Sequence, residues 1–211
     1  MNILDKSTWN RKEHFDFFKK YKEPFFGLVT EIDCTIAYKN TKRKNVSFFS
    51  YYLYKSLLAV NQIEEFRYRI NDDEIIIHDT ISASSTIGRT DGTFGFSYVS
   101  FSENFDEFDA SLKNEIKRIQ STSGLAINEK ELKKDVVYYS SIPWNTFSGL
   151  THATDFTPGD SVPRITFGKM FQEEEKMKMN LAIYVHHGLA DGYHISKFLE
   201  LFQNLMNEEE L

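Results

Sequence analysis

An apolar run, Leu181 to Val185, ends abruptly in His186-His187 and is followed by Asp191-Gly192. Beyond that turn Ile195, Phe198, Leu199, Phe202, Leu205 and Met206 recur at helical spacing. A chain written this way must run a buried strand into a tight corner and leave it along an amphipathic helix. Imidazole is the side chain best suited to proton transfer near neutral pH, and this pair sits where a rigid element meets a turn. In a strand, His186 and His187 point to opposite faces, so only one of them can look into a given cleft. Read alone, the segment leaves other roles open: Asp191-Gly192 as a plain helix cap, or a metal set of His186, His187, Asp191 and His194. Against the metal, adjacent strand histidines diverge, and no Cys or Glu completes a tetrahedral set at usual spacing.

The rest of the composition narrows the class. A chain of 211 residues suits one domain, residues 1–211, with interior enough for a real core. Apolar residues make up 41%, with 19 Phe and 11 Tyr, which excludes a disordered chain. A net charge of −6 argues against a nucleic-acid partner. The one cysteine, Cys34, has no partner for an internal disulfide, and nothing reads as a zinc ribbon. Met1 to Arg11 lacks the apolar core of a signal peptide, and no run approaches the ~20 apolar residues of a membrane span. The expectation is an acidic cytoplasmic protein with no membrane partner.

Periodicity then sketches the fold. Phe26, Leu28, Thr30, Ile32, Cys34, Ile36 and Tyr38 alternate with their neighbours and predict one long strand. Val46 to Val60 is densely apolar without breakers and predicts a buried helix. Arg67 to His78, centred on Asn71-Asp72-Asp73, predicts a hairpin. A strand through Phe94 to Phe101 precedes a half-exposed helix marked by Phe105, Phe108, Leu112, Ile116 and Ile119. Val136 to Ser141, Arg164 to Phe171 and Met177 to Val185 predict three more strands. Strands and helices interleave without a regular βαβ rhythm, so the class is α/β, a mixed β-sheet covered by helices.

The segment from His186 to His194 resembles the chloramphenicol acetyltransferase signature His-His-x-x-x-Asp-Gly-Phe/Tyr-His, whose core dihydrolipoamide-type acyltransferases share. Four further segments match in order. Trp9-Asn10-Arg11-Lys12-Glu13-His14-Phe15 is similar to the family's opening, and Asp72-Asp73-Glu74-Ile75 to its hairpin. Ser140-Ser141-Ile142-Pro143-Trp144 resembles a strand end, and Ile165-Thr166-Phe167-Gly168-Lys169 a later strand. The likeness covers nearly the whole chain and fails mainly between Ser100 and Asp135. It implies a two-layer sandwich of the coenzyme A-dependent acyltransferase type. It also implies a homotrimer with active sites at subunit interfaces, and no permanently bound cofactor, with acetyl-coenzyme A as co-substrate.

By the same resemblance His187 is the general base, its second ring nitrogen held by a backbone carbonyl. Asp191 pairs with Arg11 and braces the corner; Ser140 donates to the oxyanion, and Thr166 helps hold a water on the same intermediate. Lys169 and Trp144 fall where the family lines the coenzyme A channel. The acceptor would be a hydroxyl of chloramphenicol, making the chain a resistance enzyme. Thr86 and Phe94 match part of that pocket. Elsewhere it departs: Phe18 stands where a tyrosine helps hold the drug, His152 and Thr154 replace apolar residues, and Phe96 replaces a small one. A pocket lined with unpaired polar groups binds an apolar aryl group less well, so a different hydroxyl or amine acceptor stays open. From outside the class come a non-catalytic trimeric binding protein, and the core of a dehydrogenase-complex acyltransferase, for whose lipoyl domains these residues leave no room.

Overall fold

The computed structural model describes residues 1–127, 133–154 and 157–209. Its main sheet has six strands: β2 (Phe25–Asp33), β5 (Ser82–Gly88), β6 (Phe94–Val99), β7 (Val136–Ser141), β8 (Arg164–Glu173) and β9 (Lys176–His186). They lie in the order β2-β9-β8-β7-β5-β6, with β7 parallel to β5 and β8 and the other pairs antiparallel. A three-stranded sheet of β1 (Asn2–Ile3), β4 (Glu74–Ile77) and β3 (Tyr68–Asn71) stands apart. The helices are α1 (Lys12–Phe18), α2 (Thr35–Lys44), α3 (Phe48–Gln62), α4 (Phe105–Gln120) and α5 (Gly192–Met206). The expected mixed sheet with helices is what the chain forms.

Strand pairing decides which residues share a face, because laterally paired side chains point the same way. Ile165, Phe167, Leu181, Ile183, Val185, Val137 and Tyr139 face the helices and join Leu53, Leu57, Phe198 and Phe202 in the main core. The other face carries the row Val29, Ala182, Thr166 and Ser140, in register across β2, β9, β8 and β7. Thr86 extends this row, since Ser85 pairs with Tyr139, and Phe96 pairs with Thr86. The segment after β7 crosses this second face: the Tyr184 hydroxyl donates to the Leu150 carbonyl, and His152 meets the Tyr184 ring edge-on at 4.9 Å. Gly27 makes room for that tyrosine, because a Cβ there would lie 2.5 Å from its ring.

The long strand expected through Tyr38 is corrected: β2 ends at Asp33 and α2 begins at Thr35. Asp33 accepts from the Thr35 amide at 2.9 Å, turning the chain. Cys34, Ala37 and Thr41 are buried, a helical spacing, whereas Ile36 is 37% exposed. The alternation of Cys34, Ile36 and Tyr38 was coincidental. The buried helix starts at Phe48 rather than Val46, with Ser47 as N-cap accepting from the Ser50 amide. Strand β9 stops at His186, so His187 already belongs to the turn.

Candidate active site

A satellite core explains why the N-terminal segment reaches the corner at all. Phe15, Tyr68, Ile70, Ile75 and Leu189 bury together, with Trp9 packed against them. The Trp9 ring lies 6.0 Å from both Phe15 and Tyr68. Arg11, held between those two anchors, is 8% exposed and points into the turn after β9. Its Nη1 meets the Asp191 carboxylate at 2.5 Å, and its Nη2 donates to the His187 carbonyl at 3.0 Å. One guanidinium thus ties the first residue of the turn to the cap of the helix that follows.

Asp191 has two jobs. As N-cap of α5 it accepts from the Tyr193 amide at 3.0 Å, inside a capping box closed by His194. Partial burial pushes its carboxyl upward, but the hydrogen bond and charge of Arg11, then those of His194, outweigh this and hold its pKa at about 2. The cap and the ion pair use the same side chain, so the helix start and the position of His187 are coupled.

The His187 ring is sandwiched: Phe18 stacks on it at 4.1 Å and Phe26 at 4.9 Å, both at 25°. Its amide donates to the Pro24 carbonyl at 2.8 Å, and its Nδ1 lies 3.4 Å from the Ala190 carbonyl. His186 goes the other way and is buried. Burial pulls its pKa down to about 4, and its Nδ1 accepts from the Gly188 amide at 3.2 Å, so it is a neutral structural imidazole. Gly188 permits this packing, since a Cβ there would meet the His186 ring at 3.1 Å and the Phe15 Cα at 3.2 Å.

Other residues singled out from the sequence lie elsewhere. Ser140 and Thr166 are paired neighbours, and Thr166 is buried with its hydroxyl unpartnered among the described residues. They are remote from His187 of the same chain. Thr166 pairs with Ala182, and His187 lies five residues further along, about 17 Å at about 3.4 Å per residue. Trp144 is 75% exposed, and Lys169, also exposed, is drawn beside its loop by a 2.9 Å bond from its amide to the Asn145 carbonyl.

The acceptor residues divide into three groups. Phe18 belongs to the His187 corner. Thr86 and Phe94 sit on the β5–β6 edge, with Phe94 46% exposed. His152 and Thr154 line a cavity of about 730 Å³ together with Phe25, Arg164, Tyr184 and His186, a cavity that touches neither His187, Ser140 nor Thr166. Burial, and then Arg164, lower the His152 pKa, and its Nε2 is buried without a partner among the described residues. Sequence reasoning missed Phe26 and Glu65. The pairing of Phe26 with Val185 fixes the first beside the corner, and only the tertiary fold brings the second there.

Comparison with known proteins agrees with this architecture. A chloramphenicol acetyltransferase of Clostridium perfringens is 31% identical over 206 residues, 97% of both chains. A solved structure titled chloramphenicol acetyltransferase superposes with a TM-score of 0.90 at 30% identity, covering 97% of this chain and 99% of that one. A probable dihydrolipoamide acetyltransferase from Listeria monocytogenes shares the fold, with a TM-score of 0.69 at 11% identity over 100% of this chain and 95% of its own. The family model described as chloramphenicol acetyltransferase matches residues 1–203, and this chain belongs to that family.

Proposed function

We propose that this chain, acting as one acyltransferase domain over residues 1–211, moves the acetyl group of acetyl-coenzyme A onto a hydroxyl of chloramphenicol. The observation that carries the reading is the split of the machinery. His187 is oriented within one chain, while Ser140 and Thr166 lie about 17 Å away along the same sheet. Two copies in a homotrimer would put the His187 of one against the Ser140 and Thr166 of the next.

The chemistry follows from the groups. The Ala190 carbonyl holds a proton on His187 Nδ1, leaving the Nε2 lone pair to take the acceptor's hydroxyl proton. The acceptor oxygen bonds to the thioester carbonyl carbon as that proton leaves. Ser140 donates to the resulting oxyanion, and the Thr166 hydroxyl, buried without a partner among the described residues, serves the same intermediate. Collapse breaks the C–S bond, and the imidazolium returns its proton to the departing thiolate. The Phe18 and Phe26 faces stabilise that transient cation. Trp144 and Lys169 offer an indole and an ammonium to the coenzyme's adenine and phosphates. The setting is the cytoplasm, where acetyl-coenzyme A is made, and the outcome is resistance to the drug.

Thiol release from acetyl-coenzyme A in the presence of chloramphenicol tests the reading. Release that depends on the drug and vanishes in His187→Ala is the expected result. A second reading, an acyltransferase with a different acceptor, is favoured by the buried Nε2 of His152, which has no partner among the described residues. It takes over should millimolar chloramphenicol release nothing while another alcohol or amine does. Silence with every acceptor would leave a trimeric binding protein.

A further inference from the structure

We infer that Glu65 and His194 are positioning residues for His187, bracing Asp191 from the side opposite Arg11. The inference rests on the assignment of His187 as the base. Four groups, carboxylates alternating with nitrogen bases, form a chain that ends at the corner: Glu65, His194, Asp191 and Arg11. His194 is 6% exposed, with its Nδ1 2.9 Å from Asp191 Oδ1 and its Nε2 3.5 Å from Glu65 Oε1. The Glu65 pKa is lowered, first by the hydrogen bond from His194.

An ionised carboxylate only accepts hydrogen bonds, so a ring that donates from both nitrogens, one to each carboxylate, would be the imidazolium. The Asp191 amide also lies 3.2 Å from His194 Nδ1, and that contact needs the nitrogen unprotonated. The ring therefore has two arrangements. Protonated, it bridges two carboxylates and fixes the Asp191 oxygen that Arg11 does not hold. Neutral, with its proton on Nε2, it keeps Glu65 but turns a lone pair toward Asp191 Oδ1 and retains only the amide. The first arrangement locks Asp191, hence Arg11, hence the His187 carbonyl. Charged and titratable groups around the ring are Asp191, Tyr193 and Lys197 from the start of α5, Glu65 from the turn at Glu64–Arg67, and Arg11 ahead of α1.

His194→Gln tests the inference without unfolding the helix start, because glutamine at this position still closes a capping box. Glu65→Gln is the companion variant, keeping size and polarity while removing charge. The expected result is a fall in kcat of about tenfold to a hundredfold in each, with KM nearly constant and the thermal midpoint close to the parent's. The double variant should be no worse than the poorer single. Parent-like kcat in both variants would overturn the inference, as would a loss confined to thermal stability. The parent's thiol release is measured first. Should it be absent, the proposed function fails by itself, and nitrogen NMR of the His187 ring decides the bracing. A changed ring signal in Glu65→Gln supports it, and an identical one sinks it.

Discussion

Around His187 the chain supplies its own partners: two aromatic faces, the Ala190 carbonyl, and an arginine fastened to a capping aspartate. The Ser140–Thr166 pair is placed as firmly by sheet register, yet the Thr166 hydroxyl has no partner among the described residues. One region is closed on itself and the other is left open to something from outside. A buried hydroxyl without a partner forfeits about 1–3 kcal/mol. A ligand, an ordered water or a second copy would relieve that deficit. Under the proposed function, the difference would make orientation of His187 an intrachain matter and leave the Ser140–Thr166 pair to act on a neighbouring copy.

Subunit mixing breaks or sharpens this contrast most strongly. His187→Ala should lower turnover about a hundredfold to ten-thousandfold with normal folding, and Ser140→Ala about a hundredfold to a thousandfold. Co-refolding the two inactive variants should recover part of the parental rate, because mixed assemblies contain interfaces with both residues intact. No recovery from well-folded mixed trimers would place base and oxyanion donor in the same chain and undo the comparison.

Next in size is the brace. Arg11→Val leaves the Asp191 carboxylate partly buried without its cation, a loss of about 3 kcal/mol, at the low end for a buried pair because Asp191 keeps some solvent. Turnover and thermal stability should fall together, and a double-mutant cycle with Asp191→Asn should show strong coupling. Zero coupling would mean that the corner is held by the satellite core alone.

Titration probes the buried histidine. His186 is depressed from 6.5 to about 4, so the unfolded chain takes up a proton before the folded chain does. Stability is therefore whole above pH ~6.5 and falls as pH drops toward 4, by about 3 kcal/mol. Asp191 acts in a lower window, from its ordinary 3.8 down to about 2. His186→Asn should flatten the pH dependence of the thermal midpoint between 7 and 4. An unchanged slope would show that His186 is not the group responsible.

The smallest effect lies at the acceptor. Phe18→Tyr adds one neutral hydrogen bond to chloramphenicol, worth about 0.5–1.5 kcal/mol, so kcat/KM should rise about threefold to tenfold. A fall instead would show that stacking on His187 is what position 18 supplies, and that the hydroxyl disturbs it.

Sequence signals located much of this. The His-His corner, the Asp191 cap and the α5 periodicity were legible because each depends on residues within one or two turns of one another. Trp9 and Phe15 were legible as a motif, though not as the anchors that hold Arg11 in place. The end of β2 was not legible, since Cys34, Ile36 and Tyr38 alternate as a strand would while their burial follows a helix. Phe26 and Glu65 carried no local mark. One is aimed by pairing with β9, and the other arrives from a turn that packs beside α5.

By itself, then, the sequence determined the chemistry on offer: which imidazole closes a strand, which carboxylate opens a helix, and which hydroxyls lie on strands. Covalent neighbours and periodicity set those, and they survive without knowledge of the whole. The tertiary structure alone decided how they combine. Arg11 meets Asp191 across 180 residues because two cores dock, and no local propensity encodes that distance. Antiparallel pairing of β8 with β9 sends His187 to the end of the sheet away from Ser140 and Thr166, a separation set by register rather than by residue type.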